Sequence, residues 1–252
     1  RPIVYDNRDT GLSSRIQNEA FNKDNVNKTI IRNYIRYYLR LPIKSEYTID
    51  DMADDGVSVL DHLNIENAHI LGISMGGMIA QIMASSYPEK TKTFTLIAST
   101  ASTPSPFNGP SKDVRRLFIE RTKNVDATIE DRVNRTKKLF KLIGYEGIDL
   151  DTQEFSDNVK LSIERGGVDD TGFGRQLTAI LGSKNRIEKV RSISAPTLII
   201  HGKEDPLIGV KNAYRSNKLI KGSKLVIIDN MRHLIEPPVF DQFKSDLLAH
   251  LK

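Results

Sequence analysis

The chain has 252 residues, 38% hydrophobic and 27% charged, which is ordinary composition for a soluble domain with a sizeable core. It contains no Cys, which excludes disulfides, thiolate catalysis and Cys-based metal sites, and this fits a cytoplasmic protein. The net charge of +5 comes from Lys and Arg interspersed with Asp and Glu, without Trp, and no apolar run nears the roughly 18 residues of a membrane span, so neither a nucleic-acid nor a membrane partner is expected.

The start, Arg1-Pro2-Ile3-Val4-Tyr5, is not a signal peptide. Pro2 to Tyr5 is a short apolar run, and the polar Asp6-Asn7-Arg8-Asp9-Thr10-Gly11 follows it, so a strand ending in a turn is expected. The chain enters this pattern at once and without Met, so further sequence upstream is expected. Residues 13–29 are polar and loop-like. Ile30 to Leu41 carries aliphatic and aromatic residues at helical spacing. Thr48 can cap a second helix, whose apolar face is Ile49, Met52, Ala53, Val57, Leu60 and Leu63.

Ala68 to Ile73 reads as a buried strand, and Met75 to Tyr87 as an apolar helix stopped by Pro88. Phe94 to Ala98, Pro196 to His201 and Leu225 to Ile228 are further strands, and Val239 to Leu251 is a closing helix. Strands alternating with helices imply an α/β fold with a mostly parallel sheet and helices on both faces. Between them the rhythm changes. Pro104, Pro106 and Pro110 open a long stretch of charged amphipathic helices without a strand. The expected organisation is a core in two parts, 1–103 and 193–252, with 104–192 inserted as a helical cap; the alternative is further core helices.

Gly72-Ile73-Ser74-Met75-Gly76 fits G-x-S-x-G between a buried strand and an apolar helix. The chain must reverse sharply there, and Gly72 and Gly76 are expected to clear the close approach. Ser74 is then a candidate nucleophile on a strained turn. The helix start favours an oxyanion, with the Met75 amide as one donor. The bland alternative is a glycine-rich turn with an incidental serine.

A serine hydroxyl needs a base, and the base an orienting acid. His62, His69 and His250 fall inside or at the far ends of elements, and His201 ends a strand beside a tight turn. His233, in the loop Asn230-Met231-Arg232-His233, is free to reach the serine. Asp205 follows the strand Pro196–His201 and precedes Pro206, which makes it the candidate acid; Glu204 and Asp229 are local competitors. No H-e-x-x-H spacing supports a metal site, and none is expected.

Taken together, Asp6-Asn7-Arg8-Asp9-Thr10-Gly11-Leu12-Ser13, Gly72-Ile73-Ser74-Met75-Gly76-Gly77, His201-Gly202-Lys203-Glu204-Asp205 and Met231-Arg232-His233 resemble successive signatures of the α/β-hydrolase family. The first is similar to that of the anthracycline (aclacinomycin) methylesterase-like group. The resemblance implies an eight-stranded sheet with a helical cap and cofactor-free ester hydrolysis. Ser74 would be the nucleophile, His233 the base and Asp205 the acid. It also implies that the N-terminal strands are missing from this chain, and with them the loop that donates the second oxyanion amide. Arg232 stands where the family commonly has glycine, which alters the loop or brings a cation to the site.

The expected activity is hydrolysis of a small or medium apolar carboxylic ester, with a homo-oligomer left open. The competing readings are carbon–carbon bond hydrolysis, amide or iminopeptidase cleavage or perhydrolysis on the same triad, and a ligand-binding protein that retains the fold without turnover.

Overall fold

The computed structural model describes residues 1–16, 26–102, 109–121, 127–166, 171–183 and 185–252. In chain order these form α1 (Val26–Tyr38), α2 (Ile49–His62), β1 (Ala68–Ile73), α3 (Met75–Ser86), β2 (Thr91–Ile97), α4 (Lys112–Arg121), α5 (Ile129–Ile143) and α6 (Gln153–Gly166). Then follow α7 (Thr171–Leu181), α8 (Ile187–Arg191), β3 (Thr197–Gly202), α9 (Lys211–Leu219), β4 (Lys224–Ile228) and α10 (Pro237–His250). Pro104 and Pro106 lie outside the described residues, as does most of the expected loop before α1. No helix among the described residues is long and apolar enough to cross a membrane.

Contacts gather the chain into two units. The first is Arg1–Thr48, Lys112–Leu142 and Ile148–Gly182; the second is Ile49–Ser111, Ile143–Gly147 and Ser183–Lys252.

The second unit holds a parallel sheet in the order β1-β2-β3-β4. All six residues of β3 are buried, because helices cover both of its faces. The register aligns Leu96 with Ile199, and α3 lies on that side, where a side chain at Gly77 would meet Leu96. It also aligns Ile97 with Ile200, and this opposite side packs against Val239, Phe243 and Leu247 of α10. Clustered apolar rows of this kind are the main stabilising term of the unit. On β1 only one face is covered: Ile70 is buried on the face that meets α3, whereas Leu71 and Ile73 on the other face remain exposed. α2 buries Ile49, Met52, Ala53, Val57 and Leu60 of the helical face read from the sequence, whereas Leu63 falls beyond the helix end and is exposed.

The first unit contains α1 and α4 to α7. Its buried centre is an ion pair rather than an apolar cluster alone. Arg175 of α7 grips Asp9 with two hydrogen bonds of 2.9 and 2.8 Å, and both side chains are out of solvent. Asp9 also accepts the Ile16 amide at 2.8 Å. Burial pushes the Asp9 carboxyl up, but Arg175 and the Ile16 amide outweigh it and hold the group below its ordinary value. Asp6 accepts the Leu12 amide and pairs with Arg165 of α6. The Asp6–Gly11 segment is therefore a turn, as expected, and it clasps two helices. The strand expected over Pro2–Tyr5 is not formed: those residues are in no regular element, and Val4 is 91% exposed. Among the described residues no strand pairs with this apolar run, and an apolar run without a partner strand does not form one.

Candidate active site

β1 ends at the turn that presents Ser74. The Ser74 backbone lies at φ 54°, a region that costs a non-glycine residue strain energy. Neighbours hold it there. Its amide donates to the Ile97 carbonyl at 3.0 Å, and its carbonyl accepts from the Ser99 hydroxyl at 2.7 Å. A Cβ at Gly72 would lie 2.2 Å from the Gly76 carbonyl oxygen, and one at Gly77 would lie 2.6 Å from the Ser99 Cβ. At Gly76 a Cβ would meet nothing within 4 Å. The close approach thus requires glycine at 72 and 77, not at 72 and 76 as the motif suggests. Gly76 contributes its backbone to the contact, and the missing side chain matters on its partner. Ser74 also opens α3, whose first amides have no acceptor within the helix; Met75 is the first of them.

β3 ends at Gly202, and Asp205 follows in a tight turn. One oxygen of Asp205 accepts the Leu207 and Ile208 amides, both at 2.8 Å. The other faces His233 Nδ1 at 2.7 Å. His233 Nε2 lies 3.0 Å from Ser74 Oγ. An ionised carboxylate only accepts, so Nδ1 carries the proton and Nε2 is left to accept from the serine hydroxyl. The structure thus brings Ser74, His233 and Asp205 into one hydrogen-bonded line, within a single unit.

The other candidates fall elsewhere. Asp229 is exposed and pairs with Lys203, and Glu204 is exposed. His69 meets Thr93, and His250 meets the Phe94 carbonyl. His201 is buried beside Asp205, at 3.5 Å, and its Nε2 donates to the Ile208 carbonyl at 2.6 Å. Burial pushes His201 below the ordinary histidine value, against the pull of the Ile208 carbonyl and Asp205. It therefore stays neutral and braces the turn that carries the acid.

A family model described as the alpha/beta hydrolase fold matches residues 1–235. The chain belongs to the alpha/beta hydrolase fold family. This hydrolase is 25% identical over 265 residues to the rhodomycin D methylesterase of Streptomyces peucetius, covering 99% of this chain and 80% of that one. It is 24% identical over 206 residues to a monoacylglycerol lipase of Bos taurus, covering 75% and 58%. Among solved structures, the enol-lactonase of Burkholderia xenovorans LB400 matches with a TM-score of 0.69 at 19% identity, covering 98% of this chain and 79% of that one. At that identity the likeness shows the fold alone.

Several supports of the hydrolase site are not evident from sequence. The His233 and Leu234 amides both donate to the Ile143 carbonyl, at 2.8 and 3.2 Å. The Tyr145 amide donates to Glu236 at 2.9 Å. A segment far away in sequence therefore fixes the histidine loop. A Cβ at Gly202 would lie 2.2 Å from the Met231 and Arg232 carbonyls, so this glycine lets the loop seat against β3. Arg232 turns its guanidinium to Glu146, 3.5 Å away, and the loop accommodates it.

Arg186 is the least predictable of these supports. It is 3% exposed and, among the described residues, reaches no carboxylate at hydrogen-bond distance; instead it donates to Gln81, Ser183 and the carbonyls of Thr100 and Ser102. Burial pushes it down to about 10, so it remains charged at neutral pH. It pins the turn after β2, which also carries Ser99 and so braces the Ser74 backbone. An isolated Arg in a charged helical stretch gives no sequence signal for this.

Proposed function

We propose that this protein is a serine hydrolase of small or medium apolar carboxylic esters, acting through Ser74, His233 and Asp205. The observation that carries the reading is His233 poised between Ser74 Oγ at 3.0 Å and Asp205 at 2.7 Å. His233 Nε2 takes the serine proton as Oγ bonds to the ester carbon. The carbonyl oxygen becomes an oxyanion, which the Met75 amide receives at the positive end of α3. The C–O bond to the alkoxide then breaks, His233 returns its proton to the departing oxygen, and an acyl-serine remains. Water repeats the cycle: His233 takes its proton, the acid is released and Ser74 regains its hydrogen. Asp205 keeps the imidazole in the productive tautomer and stabilises its charged form.

The methylesterase and lipase names of the relatives support ester chemistry over the other reactions of such a triad. The helical stretch 104–192 is the part of the chain proposed to act as the cap and to set substrate size. A fluorophosphonate is expected to label one serine stoichiometrically, and Ser74→Ala to abolish the label. A p-nitrophenyl series from acetate to octanoate then ranks acyl length. Wild-type protein that neither labels nor hydrolyses any of these esters would overturn the proposal.

A further inference from the structure

α1 carries two apolar faces rather than one. At about 100° per residue, Val26, Ile30 and Asn33 fall on one side of the helix, and all three are buried. Ile31, Ile35 and Tyr38 fall on the opposite side, and they are 46%, 55% and 48% exposed. Leu39 and Leu41, just beyond the helix end, are also exposed. One buried face accounts for how the helix packs, so packing does not explain the other. Exposed apolar residues scattered singly would need no account, but a row at positions i, i+4 and i+7 does.

A cationic row flanks that face. Lys28, Arg32, Arg36, Arg40 and Lys44 recur every fourth residue. On α1 this spacing drifts only slowly, so Lys28, Arg32 and Arg36 run beside the apolar row, whereas Arg40 and Lys44 lie beyond the helix end. α4 extends the surface. Its Arg115 reaches the Tyr38 hydroxyl at 3.4 Å, and Ile119 is 50% exposed. Tyr38, Lys112, Arg115, Arg116, Ile119 and Glu120 together line a cavity of about 440 Å³. Glu120 is paired with Arg116, which leaves this cleft with an excess of positive charge. The whole +5 formal charge of the chain falls on the unit that holds α1 and α4, since the other unit is balanced.

We infer that this face of α1 and α4 docks the protein on the surface of an anionic phospholipid membrane. Ile31, Ile35, Tyr38 and Leu39 enter the acyl boundary, while the flanking Arg and Lys side chains meet headgroup phosphates. A row of aliphatic side chains needs hydrocarbon, which a nucleic acid does not offer. The cationic row favours anionic lipid over neutral lipid. No span is involved, so the surface is compatible with a chain that lacks any membrane-length apolar run. It departs from the expectation of no membrane partner because composition averages over a surface whose charge is one-sided.

The test is co-sedimentation of the full chain with vesicles of phosphatidylcholine alone and of phosphatidylcholine mixed with phosphatidylglycerol. Binding to the mixed vesicles is expected at low salt, with little binding to the neutral ones, and a fall of tenfold or more between about 0.05 and 0.5 M salt. Lys28→Gln with Arg32→Gln should weaken it about tenfold or more, at roughly fivefold per cation. Ile31→Ser with Ile35→Ser should weaken it as well, which a purely electrostatic surface would not do. Hydrolysis of a soluble ester, unchanged in both variants, shows that they fold. The inference is overturned if wild type ignores anionic vesicles, or if either variant pair binds as wild type does. A dimer abolished by Ile31→Ser with Ile35→Ser, or oligonucleotide binding, in a protein that ignores vesicles overturns it equally.

Discussion

Asp205 shows how much one side chain decides. Its two oxygens have separate tasks: one is saturated by the Leu207 and Ile208 amides, and the other holds His233 Nδ1. The carboxylate is thereby aimed before any substrate arrives. Asp205→Asn would keep the shape but present an amide to the imidazole, which permits the tautomer with Nδ1 as acceptor. The serine would then face an N–H where it needs a lone pair. Ester hydrolysis is expected to fall by about ten-thousandfold in kcat with the melting temperature little changed. Steady-state kinetics and a thermal melt on the same preparation check this; a loss below tenfold would remove Asp205 from the role. The sequence offered Glu204 and Asp229 as competitors within the same segments. Only the fold shows that Asp229 meets Lys203 in solvent.

At the scale of elements, α3 approaches both β1, at Gly72, and the end of β2, at Gly77, too closely for a side chain there. Gly72 and Gly77 are needed for space and Gly76 is not, although all three stand together in one motif. Gly77→Ala forces a methyl group to within 2.6 Å of Ser99 Cβ, and Ser99 cannot yield without releasing the Ser74 carbonyl. It is expected to cost about 1–3 kcal/mol as overpacking. Gly76→Ala fills open space in a helix and should be neutral to slightly stabilising, by up to about 1 kcal/mol. Urea unfolding of the two variants checks the order, and equal effects would contradict it. Helix and strand boundaries were largely legible because hydrophobic period and Pro or Gly punctuation are local signals. β1 was read in full, whereas β2 begins at Thr91 rather than Phe94, because Thr91-Lys92-Thr93 carries no apolar mark. Pro2–Tyr5 has the composition of a strand and is none, because a strand also needs a partner.

At the scale of the molecule, stability rests on two different kinds of centre. The second unit has apolar rows on both faces of a sheet, while the first depends heavily on the buried pair of Asp9 and Arg175. Arg175→Met leaves Asp9 charged and unmatched, which costs about 3–5 kcal/mol. The Asp9 contribution has a definite sign with pH. Its folded value lies below the ordinary 3.8, so the stabilisation is present above that pH and fades as pH falls through the lowered value. Wild type should therefore lose stability on acidification from pH 5 toward pH 2, and Arg175→Met should lose less, as read by denaturant melts across that range. The same slope in both proteins would show that the pair carries no such weight.

By itself the sequence determined the α/β alternation, the turn that carries Ser74, and the order Ser74, Asp205, His233. Each follows from short-range pattern: period, punctuation and the residue types that a reaction requires. Tertiary structure decided which glycines are indispensable, that Ile143 and Arg186 hold the site from afar, and that Asp6 and Asp9 serve α6 and α7. Those are contacts between residues distant in the chain, and a linear pattern records what a residue is, not what folding sets beside it.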